Sequence, residues 1–314
     1  MLIRKKQTQH SGTDMASVLR NIKKNKILYI FLIPSILLVF IFSYCPLPGL
    51  LMAFMDYDMF KGFGSDWVGL ANIKEIFTLP ELSGAIVNTV WLSFLGIIIG
   101  FPLPIIFALM LNELNDGIFK RFTQTVSYLP HFLSTIAVIG MATSILSEYG
   151  IINDIRMWLS DGEANRELFL TKQNLFVPIV LFVSNWKGLG WSAIIYLAAI
   201  SGIDPSLYEA AIVDGAGKLK QCIHITIPSI SNTVIMLFIL RIGSLFSSDF
   251  ELIYGLQNVF IDYEVISTVI YKQGITAGDY SISTAFGFVQ GTISLVLVLI
   301  TNNISKRIND VSII

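Results

Sequence analysis

The chain has 314 residues, 54% of them hydrophobic and only 14% charged, with a mean hydropathy of +0.69. That is too apolar for a soluble domain of this length, and a formal net charge of −1 with no basic patch interleaved with aromatics argues against a nucleic-acid binder. The two cysteines, Cys45 and Cys222, fit no metal spacing.

Residues 1–26 are polar and basic, with Arg4, Lys5, Lys6, Arg20, Lys23, Lys24 and Lys26. The apolar run that follows has no small-residue cleavage site and ends in Tyr44-Cys45-Pro46, so it reads as a retained membrane helix rather than a signal peptide. Runs long enough to cross a bilayer, about 20 residues each, occur near 27–45, 84–112, 123–146, 175–202, 228–250 and 281–303. The expected fold is therefore an all-α membrane protein with six transmembrane helices over 27–304. Six crossings put both termini on one side. Thirteen Lys and Arg then fall inside, in the tails 1–26 and 305–314 and two connections, against six outside. Segments 46–83, 147–174 and 251–280 are expected outside, which leaves Cys45 and Cys222 on opposite faces and unable to form a disulfide.

The first outer segment is aromatic and glycine-rich and contains Asp56-Tyr57-Asp58. A lone Asp-x-Asp is a weak metal signal and is read here as exposed loop. The second outer segment holds a short helix around Ile152–Leu159, and the third alternates Val259-Phe260-Ile261 with polar positions. His10, His131 and His224 match no metal or triad spacing, so no catalytic or metal-binding residue is expected.

Two cations fall deep inside apolar runs, Lys187 in the fourth and Arg241 in the fifth. Charge at that depth is costly and faces an aqueous path or a partner. Lys187 and Arg241, with Asn185, Trp186, Trp191, Ser244 and Ser248, are the candidate lining of a solute pathway, since aromatic faces and hydroxyls suit sugars. The competing reading pairs either cation with a carboxylate such as Asp249, or lets it snorkel outward.

Between the fourth and fifth runs lies a polar island, Asp204 to Pro228. Asp204 is a good N-cap, Pro205 suits the first helical position, and Asp214-Gly215 is a stop signal. The result is a helix of about two and a half turns that displays Glu209 beside Ala210 and Ala211. A second short helix is expected from Ala216 to Ile225. Gly215-Ala216-Gly217-Lys218 is only a fragment of a phosphate-binding loop, with Ile212 at the first glycine position and Leu219 where Ser or Thr is needed.

Glu209-Ala210-Ala211, then Gly215, Ile225 and Pro228, match the EAA loop, EAA-x3-G-x9-I-x-L-P, except for Ile227 in place of the Leu. The chain thus resembles the transmembrane permease subunits of type I ABC importers. Asp204-Pro205-Ser206-Leu207-Tyr208 and Asp214-Gly215-Ala216 are similar to the carbohydrate-uptake branch. Trp186–Trp191 and Tyr128-Leu129-Pro130 resemble its oligosaccharide and polysaccharide subgroup. The resemblance implies that Tyr208, Glu209, Ala210, Ala211, Asp214, Gly215 and Ala216 couple mechanically to an ATPase. It also implies a second homologous permease, two cytoplasmic ATPase subunits that bind ATP–Mg, and an extracytoplasmic solute-binding protein. The chain itself then needs no cofactor and is no enzyme, and it resides in a bacterial cytoplasmic membrane with both termini inside. Two buried cations further suggest an acidic, uronate-bearing glycan. The alternatives are a secondary transporter or channel, which should show ion-site carboxylates or interrupted helices at mid-membrane, and a membrane-embedded glycan enzyme, for which only Asp56 and Asp58 are available.

Overall fold

The computed structural model describes residues 24–309, with side chains through residue 306; Arg4 to Lys23, His10 and the Arg307 side chain lie outside the described residues. The chain divides into two units, residues 1–51 and 52–314. In the first, α1 (Lys26–Val39) carries Pro34 within it and passes into a π turn over Phe40–Tyr44. Its sequence is apolar on every face, which suits lipid rather than one-sided packing.

The second unit opens with a two-residue antiparallel ladder, β1 (Met55–Asp56) against β2 (Asp66–Trp67). Asn72 clamps it by donating its amide hydrogens to the carbonyls of Ala53 at 3.0 Å and Met55 at 2.9 Å. Helices follow: α2 (Ala71–Thr78), α3 (Pro80–Gly100), α4 (Pro102–Glu113), α5 (Ile118–Tyr128), α6 (Thr135–Leu146) and α7 (Ile151–Leu159). After them come α8 (Gln173–Ser201), α9 (Pro205–Val213), α10 (Ser231–Gly243), α11 (Phe250–Leu256), α12 (Ile266–Tyr271) and α13 (Tyr280–Asn309).

The 29-residue α8 is the centre of the packing and touches α3, α4, α5, α10 and α11. One core joins its Phe176, Val180 and Val183 to Leu92, Val138 and Leu252. A second joins its Ala193, Tyr196 and Ile200 to Ala108 and Ile230. A third lies away from α8, around Ile76, Ala85, Ile266 and Phe286. At Gly190 the α8 backbone meets that of α5 so closely that a Cβ would stand 2.1 Å from the Ser127 carbonyl oxygen.

Among the described residues, four helical stretches are long and apolar enough to cross a bilayer: Lys26–Phe54, Pro80–Glu113, Thr135–Leu159 and Tyr280–Lys306. The bent pair Lys218–Ser229 and Ser231–Gly243 makes a fifth if it is one span. At about 1.5 Å per residue α8 is also long enough, but its middle is the polar Asn185–Gly188 stretch.

The helices depart from the sequence expectation in two places. The apolar run near 123–146 is two helices. A short 3-10 turn at Leu129–Phe132 follows α5, Leu133 is extended, and Ser134 restarts the chain as a cap whose hydroxyl accepts the Ala137 N–H at 3.2 Å. Pro130 has no N–H to continue the ladder, and α5 carries Lys120 and Arg121 on an amphipathic surface. The run near 228–250 breaks at Ile230, where Ser231–Gly243 bends 61° against the helical stretch Lys218–Ser229 that contains Pro228, and after Gly243 it is not helical again until Phe250. Ser244 and Ser248 therefore lie in the connection after α10, not inside a helix. The third outer segment holds α11 and α12, and Val259-Phe260-Ile261 lies in the connection between them. The short helix near Ile152–Leu159 is present as α7.

Candidate functional site

The polar island folds as its residues dictate. The Asp204 carboxylate accepts the Ser206 N–H at 2.9 Å, and these Ser206 hydrogen bonds hold its pKa below the usual carboxylate range. Pro205 occupies the first turn of α9. At the other end Gly215 has φ +74°, its N–H donates to Ile212 O at 3.0 Å, and the Ala216 N–H donates to Ala211 O at 2.8 Å. That pair of reversed bonds around a left-handed glycine is a Schellman motif, and it satisfies carbonyls the helix end would otherwise orphan. Open space surrounds the Cβ position of Gly215, so the backbone angle, not crowding, demands glycine.

The back of α9 is tied down. The Tyr208 hydroxyl lies 2.9 Å from Thr226 Oγ1, a side chain buried in the helical stretch beyond the loop. Gln221, also buried, donates to Ala216 O at 2.8 Å, and Lys218 pairs with Glu113 at the end of α4 at 3.2 Å. The front is free. Glu209, Ala210, Ile212, Val213 and Asp214 are exposed, and Glu209 has no ion pair among the described residues. Residues 218–226 are helical, as a turn Lys218–Gln221 running into a π turn Cys222–Thr226.

The candidate pathway residues separate into groups. Asn185, Trp191 and Arg241 line one cavity of about 280 Å³ between α3, α4, α8 and α10, together with Gly100, Ser192 and Tyr196. Asn185 and Arg241 also line a smaller cavity of about 130 Å³, with Ser93, Gly96, Ser248 and Asp249. The Trp191 ring stacks on His131, centroids 4.5 Å apart and planes at 2°, with Phe132 edge-on. The Ser248 hydroxyl lies 2.8 Å from that of Ser267, and Ser244 donates to the Arg241 carbonyl at 2.9 Å. Asp249 does not pair with Arg241. Its carboxylate accepts the Leu252 N–H at 3.2 Å and caps α11.

The other two residues lie elsewhere. The Lys187 ammonium donates to Thr135 Oγ1 at 2.6 Å, at the start of α6. Trp186 lines an apolar groove of about 520 Å³ with Val138, Met141 and Phe182. Adjacent positions on a helix point about 100° apart, so Asn185, Trp186 and Lys187 cannot share one surface. Sequence reasoning missed Gly96 and Gly100, whose four-residue spacing on α3 is the signal that marks them. No group of three potential metal ligands occurs among the described residues, and Asp58 spends its carboxylate on the Phe60 N–H at 2.8 Å.

Residues 100–310 match the family model of the binding-protein-dependent transport system inner membrane component. The chain belongs to this family. The permease is 38% identical over 291 residues, 91% of this chain and 90% of the relative, to the polygalacturonan/rhamnogalacturonan transport system permease protein YteP of Bacillus subtilis (strain 168). It is 39% identical over 290 residues to Protein LplB of the same bacterium, again 91% and 90% of the two chains. Among solved structures it is similar to a chain of a bacterial alginate ABC transporter in complex with an alginate pentasaccharide-bound periplasmic protein. There the TM-score is 0.85 at 37% identity, covering 94% of this chain and 99% of the other. The permease is accordingly a sugar ABC-transport subunit with the all-α type I importer fold, and not an enzyme. This sets aside the glycan-enzyme and secondary-transporter readings.

Proposed function

We propose that this permease is one of two membrane-spanning subunits of an ATP-driven importer of acidic oligosaccharides. The observation that carries the reading is α9: a short helix capped at both ends, anchored from behind and bare in front. Such a helix is shaped to lie in a groove on a second protein and to transmit its movement. Two ATPase subunits, which bind ATP–Mg, supply that movement from the cytoplasmic side; the permease holds no cofactor of its own. A second, similar permease completes the pathway, and an extracytoplasmic solute-binding protein delivers the glycan to the outer segments. Six spans in a bacterial cytoplasmic membrane, with both termini and the α9 loop inside, fit the distribution of Lys and Arg. An acidic solute fits the named cargo of the polygalacturonan/rhamnogalacturonan relative and of the alginate transporter, and it fits an arginine in the cavity wall that no carboxylate pairs with among the described residues.

Gly215→Val tests the coupling role. A β-branched residue at φ +74° costs about 1–2 kcal/mol, and the open space there means no side chain is displaced. Solute uptake and solute-stimulated ATP hydrolysis are expected to fall together, several-fold, in a complex that still assembles in the membrane. Normal uptake by an assembled Gly215→Val complex would remove α9 from the coupling path.

A further inference from the structure

Gly96 and Gly100 stand one turn apart on the same face of α3. A Cβ at Gly100 would sit 2.6 Å from Asn185 Oδ1, and one at Gly96 would sit 3.3 Å from Arg241 Nη2. Two missing side chains thus give the amide and the guanidinium their places against bare helix backbone. The amide is anchored, its Nδ2 donating to Leu181 O at 2.7 Å. The guanidinium is not. Among the described residues no carboxylate pairs with it, and Asp249, on the wall of the smaller cavity, is engaged in capping α11. Arg241 lines both cavities and so stands where they adjoin, among the hydroxyls of Ser93, Ser184, Ser247 and Ser248.

We propose that Arg241 is the specificity-determining group of the pathway, receiving the carboxylate of each uronate as the glycan passes between the two cavities. The proposal rests on the acidic-oligosaccharide reading and assigns that reading to one side chain. An arginine fork matches a carboxylate with two parallel hydrogen bonds, which a lysine cannot reproduce. Its charge is unopposed at a depth where charge is costly, so an anionic solute gains from it and a neutral one does not. Arg241 is also exposed on this subunit, so a passing solute can reach it. Lys187 has no part in this. It is held by Thr135 and lines neither cavity.

The test uses the whole complex in proteoliposomes, with its ATPases and binding protein, and two solutes: trigalacturonate and its neutral methyl ester. The variants are Arg241→Gln, Arg241→Lys, Gly96→Ala and, as control, Lys187→Gln. With one binding protein throughout, a change in the acid-to-ester uptake ratio between variants reports the permease. Arg241→Gln is expected to lower trigalacturonate uptake about tenfold or more, the usual loss for a charged hydrogen bond, while ester uptake stays within twofold. Arg241→Lys falls between, and Lys187→Gln keeps the wild-type ratio. ATPase stimulation by loaded binding protein persists in all four. If Arg241→Gln depresses both solutes equally, or leaves trigalacturonate uptake intact, the assignment fails while the importer reading stands. If the wild type moves the ester and rejects trigalacturonate, the acidic-solute reading fails with it. Should Arg241→Gln not assemble, Arg241→Lys decides: loss of the fork must lower the ratio, while Gly96→Ala, whose methyl the unanchored guanidinium can step aside from, keeps it; an unchanged ratio in Arg241→Lys overturns the proposal. If the wild type rejects the ester, the readout is trigalacturonate uptake per ATP hydrolysed, which must fall in Arg241→Gln and hold in Lys187→Gln.

Discussion

Asn153 is fully buried and spends all four hydrogen-bonding positions of its amide. Its Nδ2 donates to the carbonyls of Ser147 and Glu167, both at 2.9 Å, and its Oδ1 accepts the Glu167 N–H at 3.0 Å and Arg156 Nη1 at 3.2 Å. Lys172 and Arg156 both bind the Glu167 carboxylate and hold its pKa below the usual carboxylate range. The outward face of α7 is meanwhile apolar, with Ile151, Ile155, Trp158 and Leu159 exposed. Polar inside and apolar outside is the inverse of a soluble surface helix, and it suits a helix whose surroundings are not water. Asn153→Leu would leave the partners of that amide unpaired, at about 1–3 kcal/mol. Backbone amides of 147–172 are expected to exchange hydrogen faster in this variant while α9 stays unchanged. Unaltered exchange would show that the segment does not depend on Asn153.

Among the elements, α8 and α9 were legible to different degrees. The caps, the first-turn proline and the terminal glycine of α9 act within a few residues, so its limits followed from local chemistry alone. The length of α8 was legible too, but not what each of its positions faces. Gly188 has nothing within 4 Å of its Cβ position, whereas Gly190 is pressed against Ser127 and Tyr128. Gly190→Ala is therefore expected to destabilise the α5–α8 contact by about 1–3 kcal/mol, as overpacking does. Gly188→Ala is expected to be neutral or slightly stabilising, since alanine favours helix over glycine. Thermal unfolding of the purified complex separates them, and equal midpoints for both variants would contradict the close approach. The break between α5 and α6 was written in Pro130, but a hydropathy window averages across a single proline.

On the scale of the whole molecule, the proposed orientation puts the α9 loop in the cytoplasm. Cys45 and Cys222 are both free thiols. In a Cys45→Ser background, an impermeant maleimide is expected to label Cys222 only after the cells are permeabilised. Cys222 is half-buried, so Ser206→Cys on the exposed first turn of α9 serves as the accessible reporter. Labelling of either site in intact cells would invert the topology and move the coupling surface to the wrong side of the membrane.

The sequence by itself determined that this is a helical membrane protein, and it located α9 and its ends. Hydrophobic runs, prolines, caps and a left-handed glycine act over short stretches and carry their meaning wherever the chain places them. Only the tertiary structure decided which residues share a surface. Asn185 and Arg241 are 56 positions apart in number yet line the same two cavities, while Trp186 and Lys187, next to Asn185, are turned away from both. Helix rotation and the approach of α3 at Gly96 and Gly100 make that selection. Both depend on packing between elements distant in sequence, for which hydropathy and local spacing hold no signal.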